Sequence, residues 1–273
     1  MRNFLVFLLV VACFLMLPAA RGEEPAASTP PAPLKVICDF QATPFSYVEG
    51  LTKMGFEVDL MEAVAKELGT TVNWITQAFN IPTYASSLDA GTADMVIASI
   101  SITPDREQRV LFSRPYFRAT LAAATLRDVD WNHQRWSNGL SAAVRVGVQR
   151  RTTAEDWARK NLKATRRTYD KPGRVARALN NHDVSVVVMD EEILSHELIS
   201  RKYKFKMVEK GFDPQDYGIA FARSNQALAE KVDAALEKLD REGTYDRIYE
   251  KWFGHLADLP KNIRPTRGDA EVK

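Results

Sequence analysis

From residue 34 to residue 253, short apolar runs alternate with longer stretches in which apolar residues recur every three or four positions. The short runs read as buried strands and the longer stretches as amphipathic helices. Residues 34–38 form a first strand, and residues 56–69 have a helical period that stops at Gly69, a suitable C-cap. Residues 71–75 read as a second strand, 84–90 as a short helix ended by Gly91, and 95–98 as a third strand. Thr103 and Pro104 then suit the N-cap and first position of a new helix. This β-α-β-α-β order predicts a parallel sheet flanked by helices. Residues 121–125 are extended and apolar. A second unit follows, with a strand at 143–148, helices at 154–161 and 174–180, and a buried strand at 184–189. Asp190-Glu191-Glu192 opens a helix that reaches about residue 201. Residues 205–208 read as a strand, 211–215 as a turn and 217–222 as an extended return segment. A long helix over 225–242 carries Leu228, Val232, Leu236 and Leu239 at helical spacing, and 244–253 is the last helix. No internal repeat is seen beyond this coarse β/α similarity.

The start of the chain departs from the pattern. Met1-Arg2-Asn3 is positively charged, residues 4–17 are continuously apolar, and Pro18-Ala19-Ala20-Arg21-Gly22 supplies small residues. That is the build of a secretory signal peptide over residues 1–22, cleaved near Ala20 or Gly22. Val10-Val11-Ala12-Cys13 loosely resembles a lipobox, but the apolar run continues past Cys13. Residues 23–33, rich in Pro, Ala and Ser, read as a disordered spacer. Without the leader, Lys plus Arg falls from 37 to 35 by loss of Arg2 and Arg21, against 35 Asp plus Glu. A formally neutral chain offers no overall attraction to nucleic acid. Cys13 leaves with the leader. Cys38 is then alone in an apolar run and reads as a buried, inert thiol.

The candidate chemistry gathers after strand ends. In open parallel sheets ligands bind beyond the carboxyl ends of the strands. Asp39, Ser99, Ser101 and Arg106 all lie just past such ends. Two hydroxyls, a helix start and one arginine suit a carboxylate or phosphate. Asp39 is placed to meet a ligand or to cap its own loop. In the second unit, Gln149-Arg150-Arg151-Thr152-Thr153 joins a strand to a helix start with hydroxyls and positive charge. Arg150 and Arg151 point either to solvent or toward an acidic ligand. His133, His182, His196 and His255 show no metal-ligand spacing, so no metal or cofactor is expected. A phosphate-loop glycine signature and a nucleophile elbow are both absent.

Taken in order, these segments resemble the amino-acid-binding branch of periplasmic solute-binding proteins. The resemblance rests on Asp39 with Pro44-Phe45, Gly55-Phe56-Glu57-Val58-Asp59, Leu88-Asp89-Ala90-Gly91 with Asp94, and Ser101-Ile102-Thr103-Pro104-Asp105-Arg106. Phe112-Ser113-Arg114-Pro115-Tyr116, Val146-Gly147-Val148, Asp190, Gly243-Thr244-Tyr245 and Lys251-Trp252-Phe253-Gly254 complete it. It implies an α/β, two-lobed fold of type II with two crossovers, near 121–125 and 217–220. Lobe 1 would comprise residues 34–122 and 217–256, lobe 2 residues 123–216, and 257–273 a tail. By the same resemblance Arg106 would clamp a ligand carboxylate, helped by Thr152 and Thr153. Asp190 would accept an ammonium, with Ser99 and Ser101 as further acceptors. Asp39 and Gln149 would read the ligand side chain, with Ala42 and Ile81 where the family often places aromatics. The usual glycine before the hydroxyl pair is Arg151. The implied function is capture of a small amino acid or related carboxylate for an ABC importer, by a periplasmic monomer. Two alternatives stay open on this fold. One is a cyclohexadienyl dehydratase-like enzyme using Asp190, Glu191 or Glu192 as an acid. The other is a sensor that shows its closed form to a membrane receptor.

Overall fold

The computed structural model describes residues 31–129, 140–199 and 204–255. The leader, most of the spacer, Trp131, His133, Trp136 and the tail lie outside the described residues.

The first layer begins with β1 (Leu34–Cys38), a small antiparallel ribbon of β2 (Gln41–Ala42), β3 (Ser46–Glu49) and β4 (Thr52–Met54), and α1 (Phe56–Glu67). It continues through β5 (Val72–Thr76), α2 (Ile81–Asp89), β6 (Met95–Val96), α3 (Pro104–Glu107), β7 (Leu111–Phe112) and β8 (Phe117–Leu126). The second layer contains β9 (Arg145–Gln149), α4 (Thr153–Asn161), β10 (Thr165–Tyr169), α5 (Pro172–Asn180), β11 (Val186–Asp190), α6 (Glu191–Ile199) and β12 (Phe205–Tyr217). The chain then returns through β13 (Ala220–Phe221), α7 (Gln226–Arg241) and α8 (Thr244–Phe253).

Each layer is built on a five-stranded sheet, in the orders β5-β1-β6-β13-β7 and β10-β9-β11-β8-β12. The β-α units make the parallel pairs, β1 with β5 and β6, and β9 with β10 and β11. The strands that cross between layers add antiparallel edges. The molecule is thus a two-lobed α/β fold of type II, with β8 and β12 as its crossovers. These two strands pair along their whole length, from Leu126 opposite Phe205 to Phe117 opposite Tyr217. At the Phe117 end the two rings stack at 5.9 Å, and Phe45 meets Phe117 edge-on at 4.9 Å. This aromatic packing anchors the crossovers in the first layer.

Two local expectations change. Residues 211–215 are not a chain reversal: Gly211 (φ 74°) and Asp213 (φ 47°) sit in irregular steps of the continuous strand β12. Antiparallel pairing with β8 holds the chain extended through them. The strand expected over 95–98 stops at Val96, because Ser99 turns the chain at φ 49°.

The start of α1 places a key acid. No side chain caps this helix. Its first amides, on Phe56 and Glu57, donate instead to the carbonyls of Pro44 and Phe45 at 3.0 and 2.8 Å. That docking needs Gly55 (φ 134°), where a Cβ would fall 2.2 Å from the Phe45 carbonyl oxygen. Phe56, Leu60, Met61 and Val64 then bury one face, at about 2 kcal/mol per side chain.

Candidate functional site

The carboxyl ends of β1 and β6 face those of β9 and β11 across a cleft. Its lining includes Asp39, Ala42, Ser99, Ser101 and Arg106 from the first layer and Gln149, Thr152, Thr153 and Asp190 from the second. The structure thus brings together the residues singled out from the sequence, with the exception of Ile81. Ile81 opens α2 and packs in an apolar cluster with Ile37, Tyr84 and Val96. Phe79, two residues earlier, lines the cleft instead, and the Arg106 guanidinium lies 5.8 Å from its ring centre. Phe40 turns away at φ 51° and packs edge-on against Trp74 at 5.4 Å.

Arg106 is placed by its own helix start. Thr103 caps α3 by accepting the Arg106 amide at 3.3 Å, and Pro104 presets the first turn. The buried guanidinium donates through Nη1 to the Ser101 carbonyl at 2.8 Å and through Nη2 to the Arg151 carbonyl at 3.3 Å. The second bond spans the cleft. Ser101 Oγ and Thr153 Oγ1 also approach across it, to 3.5 Å. The cavity left between these groups is ≈ 20 Å³, about the space of one water. The cleft is therefore closed.

The two acids occupy different ends of the lining. Asp39 follows β1, accepts the Gln41 amide at 3.2 Å, and also faces the cleft, so it has both of the roles that its sequence position allowed. Burial pushes its carboxyl up to about 7, against the opposing effect of the Gln41 amide. Asp190 ends β11, where burial raises it to about 6 against the opposing pull of the Tyr217 hydroxyl and Arg106. Burial lowers Arg106 from its ordinary value.

Around these charges lies a set of fixed hydroxyls. Thr152 caps α4 and donates to the Gln149 carbonyl at 2.7 Å. Ser101 Oγ donates to Gln215 Oε1 at 2.7 Å, and Thr153 Oγ1 donates to the same oxygen. Ser99 donates both its amide, at 2.6 Å, and its hydroxyl, at 3.1 Å, to Glu57 Oε1. The sequence by itself assigns no role to Glu57 or Gln215. Glu57 did carry a signal, an acid inside the apolar run Phe56–Val58, and it is fully buried. Gln215 carried none, because only the pairing of β12 with β8 brings it to the cleft.

Of the three acids offered for an elimination, Asp190 lines the cleft and the two glutamates lie elsewhere. Glu191 Oε2 accepts the Thr120 hydroxyl and the Gly211 amide, each at 2.8 Å, and neither Glu191 nor Glu192 lines the cleft. Burial holds Glu192 well above the usual carboxylate range. Arg150 pairs with Asp170 at 3.1 Å on the surface, and Arg151 contributes its backbone to the cleft while its side chain is exposed.

Comparison with known proteins agrees with this fold. The sequence profile of bacterial extracellular solute-binding proteins, family 3, matches residues 34–255. The chain is 31% identical over 217 residues to the putative ABC transporter arginine-binding protein 2 of Escherichia coli strain K12, covering 77% of this chain and 86% of that protein. Among solved structures, an ancestral arginine-binding protein bound to glutamine superposes with a TM-score of 0.73 at 32% identity, over 81% of this chain and 97% of that one. The ancestral amino acid-binding protein AncCDT-1, a precursor of cyclohexadienyl dehydratase, gives 0.73 at 28% identity, over 81% and 94%.

Proposed function

We propose, because the chain belongs to family 3 of the bacterial extracellular solute-binding proteins, that it captures a free amino acid with a cationic side chain and delivers it to an ABC importer. The observation that carries the reading is the charge of the cleft lining, which holds one arginine and two carboxylates, Asp39 and Asp190. An amino acid with one carboxylate and two cations neutralises that set. A buried charge left unpaired is costly, so the count discriminates among ligands. Among the described residues no salt bridge is made to Asp39; the cation that lowers its pKa is Lys171, at the N-cap of α5. Names borne by relatives, an arginine-binding protein of Escherichia coli and an ancestral arginine-binding protein, support the same class.

In this reading the carboxylate takes the place of the Arg151 carbonyl on Arg106. The ammonium goes to Asp190, and the side-chain cation goes to Asp39. The lobes, with the boundaries expected from the sequence, open about β8 and β12 to admit the ligand. The protein acts outside the cytoplasmic membrane as a monomer, after removal of residues 1–22, and hands its cargo to a separate permease.

A thermal-shift screen over the amino acids, dicarboxylates and prephenate tests this, since a specific ligand raises the melting temperature by mass action. Basic amino acids should give the largest shifts, and Arg106→Ala should abolish them while leaving a cooperative melt. No shift with any amino acid, or the largest with acidic ones, would sink the reading.

A further inference from the structure

We infer that the β10 edge of the second layer is a docking face for an anionic phospholipid bilayer. The inference goes beyond ligand capture and holds whichever solute the cleft takes.

Residues 162–181 carry six cations, Lys163, Arg166, Arg167, Lys171, Arg174 and Arg177, and one acid, Asp170. All six cations are exposed. Arg150 pairs with the one acid, and among the described residues none of the six makes a salt bridge. Lys171 acts on Asp39 in the cleft, which leaves five for the edge. The fold gathers these five. β10 is the outermost strand of its sheet, hydrogen-bonded on one side only, to β9. α4 ends just before Lys163, and α5 packs beside β10 with Val175, Ala176 and Leu179 buried. Arg174 and Arg177, one turn apart, stand on the solvent side of α5. Arg167 borders a depression of ≈ 400 Å³ with Arg145, Tyr169, His182 and Asp183.

Charged side chains on an edge strand also block unwanted pairing with other chains. That role does not account for Arg174 and Arg177, which belong to a helix. Nor is unpaired charge general on this surface: in the first layer Lys35, Arg114, Lys238, Arg241 and Lys251 each pair with an acid. Without its leader the chain is formally neutral, so an anionic surface is attracted by the placement of charge and not by its total. The kind of partner follows from what the face lacks. Protein interfaces are centred on apolar or aromatic anchors. The exposed large apolar side chains among the described residues, Val48 and Leu51, sit on β3 and the turn after it, in the first layer. A headgroup surface asks only for clustered positive charge, and each Lys or Arg near it adds to the attraction. Four of the five are arginines, which pair with phosphate oxygens two at a time.

The test is co-sedimentation of the full mature chain with vesicles of phosphatidylcholine alone and of phosphatidylcholine with one third phosphatidylglycerol. At low ionic strength the anionic vesicles should bind about tenfold or more tightly than the neutral ones. The difference should vanish toward 1 M salt, where charges are screened within about 3 Å. Arg166→Gln with Arg167→Gln should weaken binding to the anionic vesicles about tenfold or more, whereas Arg166→Lys with Arg167→Lys should keep it. Should the strand variant not fold, Arg174→Gln with Arg177→Gln reads the same point from α5. Lys66→Gln with Lys231→Gln removes equal charge from the first layer and should leave binding unchanged. Equal binding to both kinds of vesicle, binding to neither, or equal losses from the two layers overturns the inference. Capture by immobilised poly-L-glutamate without binding to vesicles assigns the face to an acidic protein and overturns it too. Amino-acid titration of the same variants reads the cleft separately, so failure here leaves the functional reading standing.

Discussion

Replacing Asp39 by asparagine separates what this cleft costs the fold from what it contributes to binding. Asp39 is 6% exposed, and burial raises its carboxyl from 3.8 to about 7. A group raised in the folded state favours folding most below its unfolded value near 4. That contribution is lost as pH climbs through about 7. At pH 8 the ligand-free protein therefore carries a buried, ionised carboxylate with no salt bridge among the described residues. At 1.36 kcal/mol per tenfold change, the difference between 3.8 and about 7 corresponds to about 4 kcal/mol at most. Relaxation and water entry reduce this, so the working expectation is about 2–4 kcal/mol. Asparagine keeps the carbonyl that accepts the Gln41 amide and has no charge to bury. Ligand-free Asp39→Asn should then melt about 5–10 °C above the wild type at pH 8, and with little difference at pH 4. Binding should move the other way. A ligand cation needs the ionised form, so wild-type affinity for L-arginine should rise between pH 5 and pH 8 as protons are released on binding. The variant should lose about a hundredfold in arginine affinity at pH 8, the usual scale for a broken buried charge pair. Its remaining pH dependence should centre near 6, where Asp190 titrates. L-glutamine, which brings no side-chain cation, should be affected far less. Scanning calorimetry at the two pH values and titration with both amino acids check each part. Equal melting temperatures at pH 8, or equal losses for arginine and glutamine, would refute the reasoning.

Two further expectations concern the backbone around the site. Arg151 sits at φ 65°, in the left-handed region, while its carbonyl receives Arg106. Arg151→Gly should raise stability by about 1 kcal/mol in chemical denaturation, since glycine alone enters that region without strain, and no gain would show that the strain is absent. Gly55→Ala should cost about 3 kcal/mol, because the new methyl meets the Phe45 carbonyl and φ 134° suits glycine only. A cooperative melt within 2 °C of the wild type would contradict that docking of α1, a limit of about 1 kcal/mol for a chain of this size.

Local signals along this chain carry much of its fold. The alternation of apolar strands with periodic helices sets out two β/α units, and Thr103-Pro104 and Thr152 mark helix starts that the structure keeps. A cap or a period is decided within a few residues, so it can be read without the rest of the chain. The position of polar residues just after strand ends also belongs to this class, because parallel sheets gather those ends on one edge. Asp39, Ser99, Ser101 and Arg106 could be named as candidates on that ground, whereas Asp190 came only from the resemblance.

What the sequence could not decide was which side chains share a space. Ile81 and Phe79 are two residues apart, and only the way α2 lies on its sheet sends one to the core and the other beneath Arg106. Gly211 and Asp213 look like a turn, until pairing with β8 draws them into a strand and carries Gln215 to the cleft. Glu57 stands in an apolar run for no local reason, and its purpose appears only where Ser99, from a strand end 42 residues on, closes upon it. Periodicity and capping are short-range properties and were settled by the sequence alone. The cleft is made of contacts between residues from separate elements, and those were decided by the packing of the two lobes.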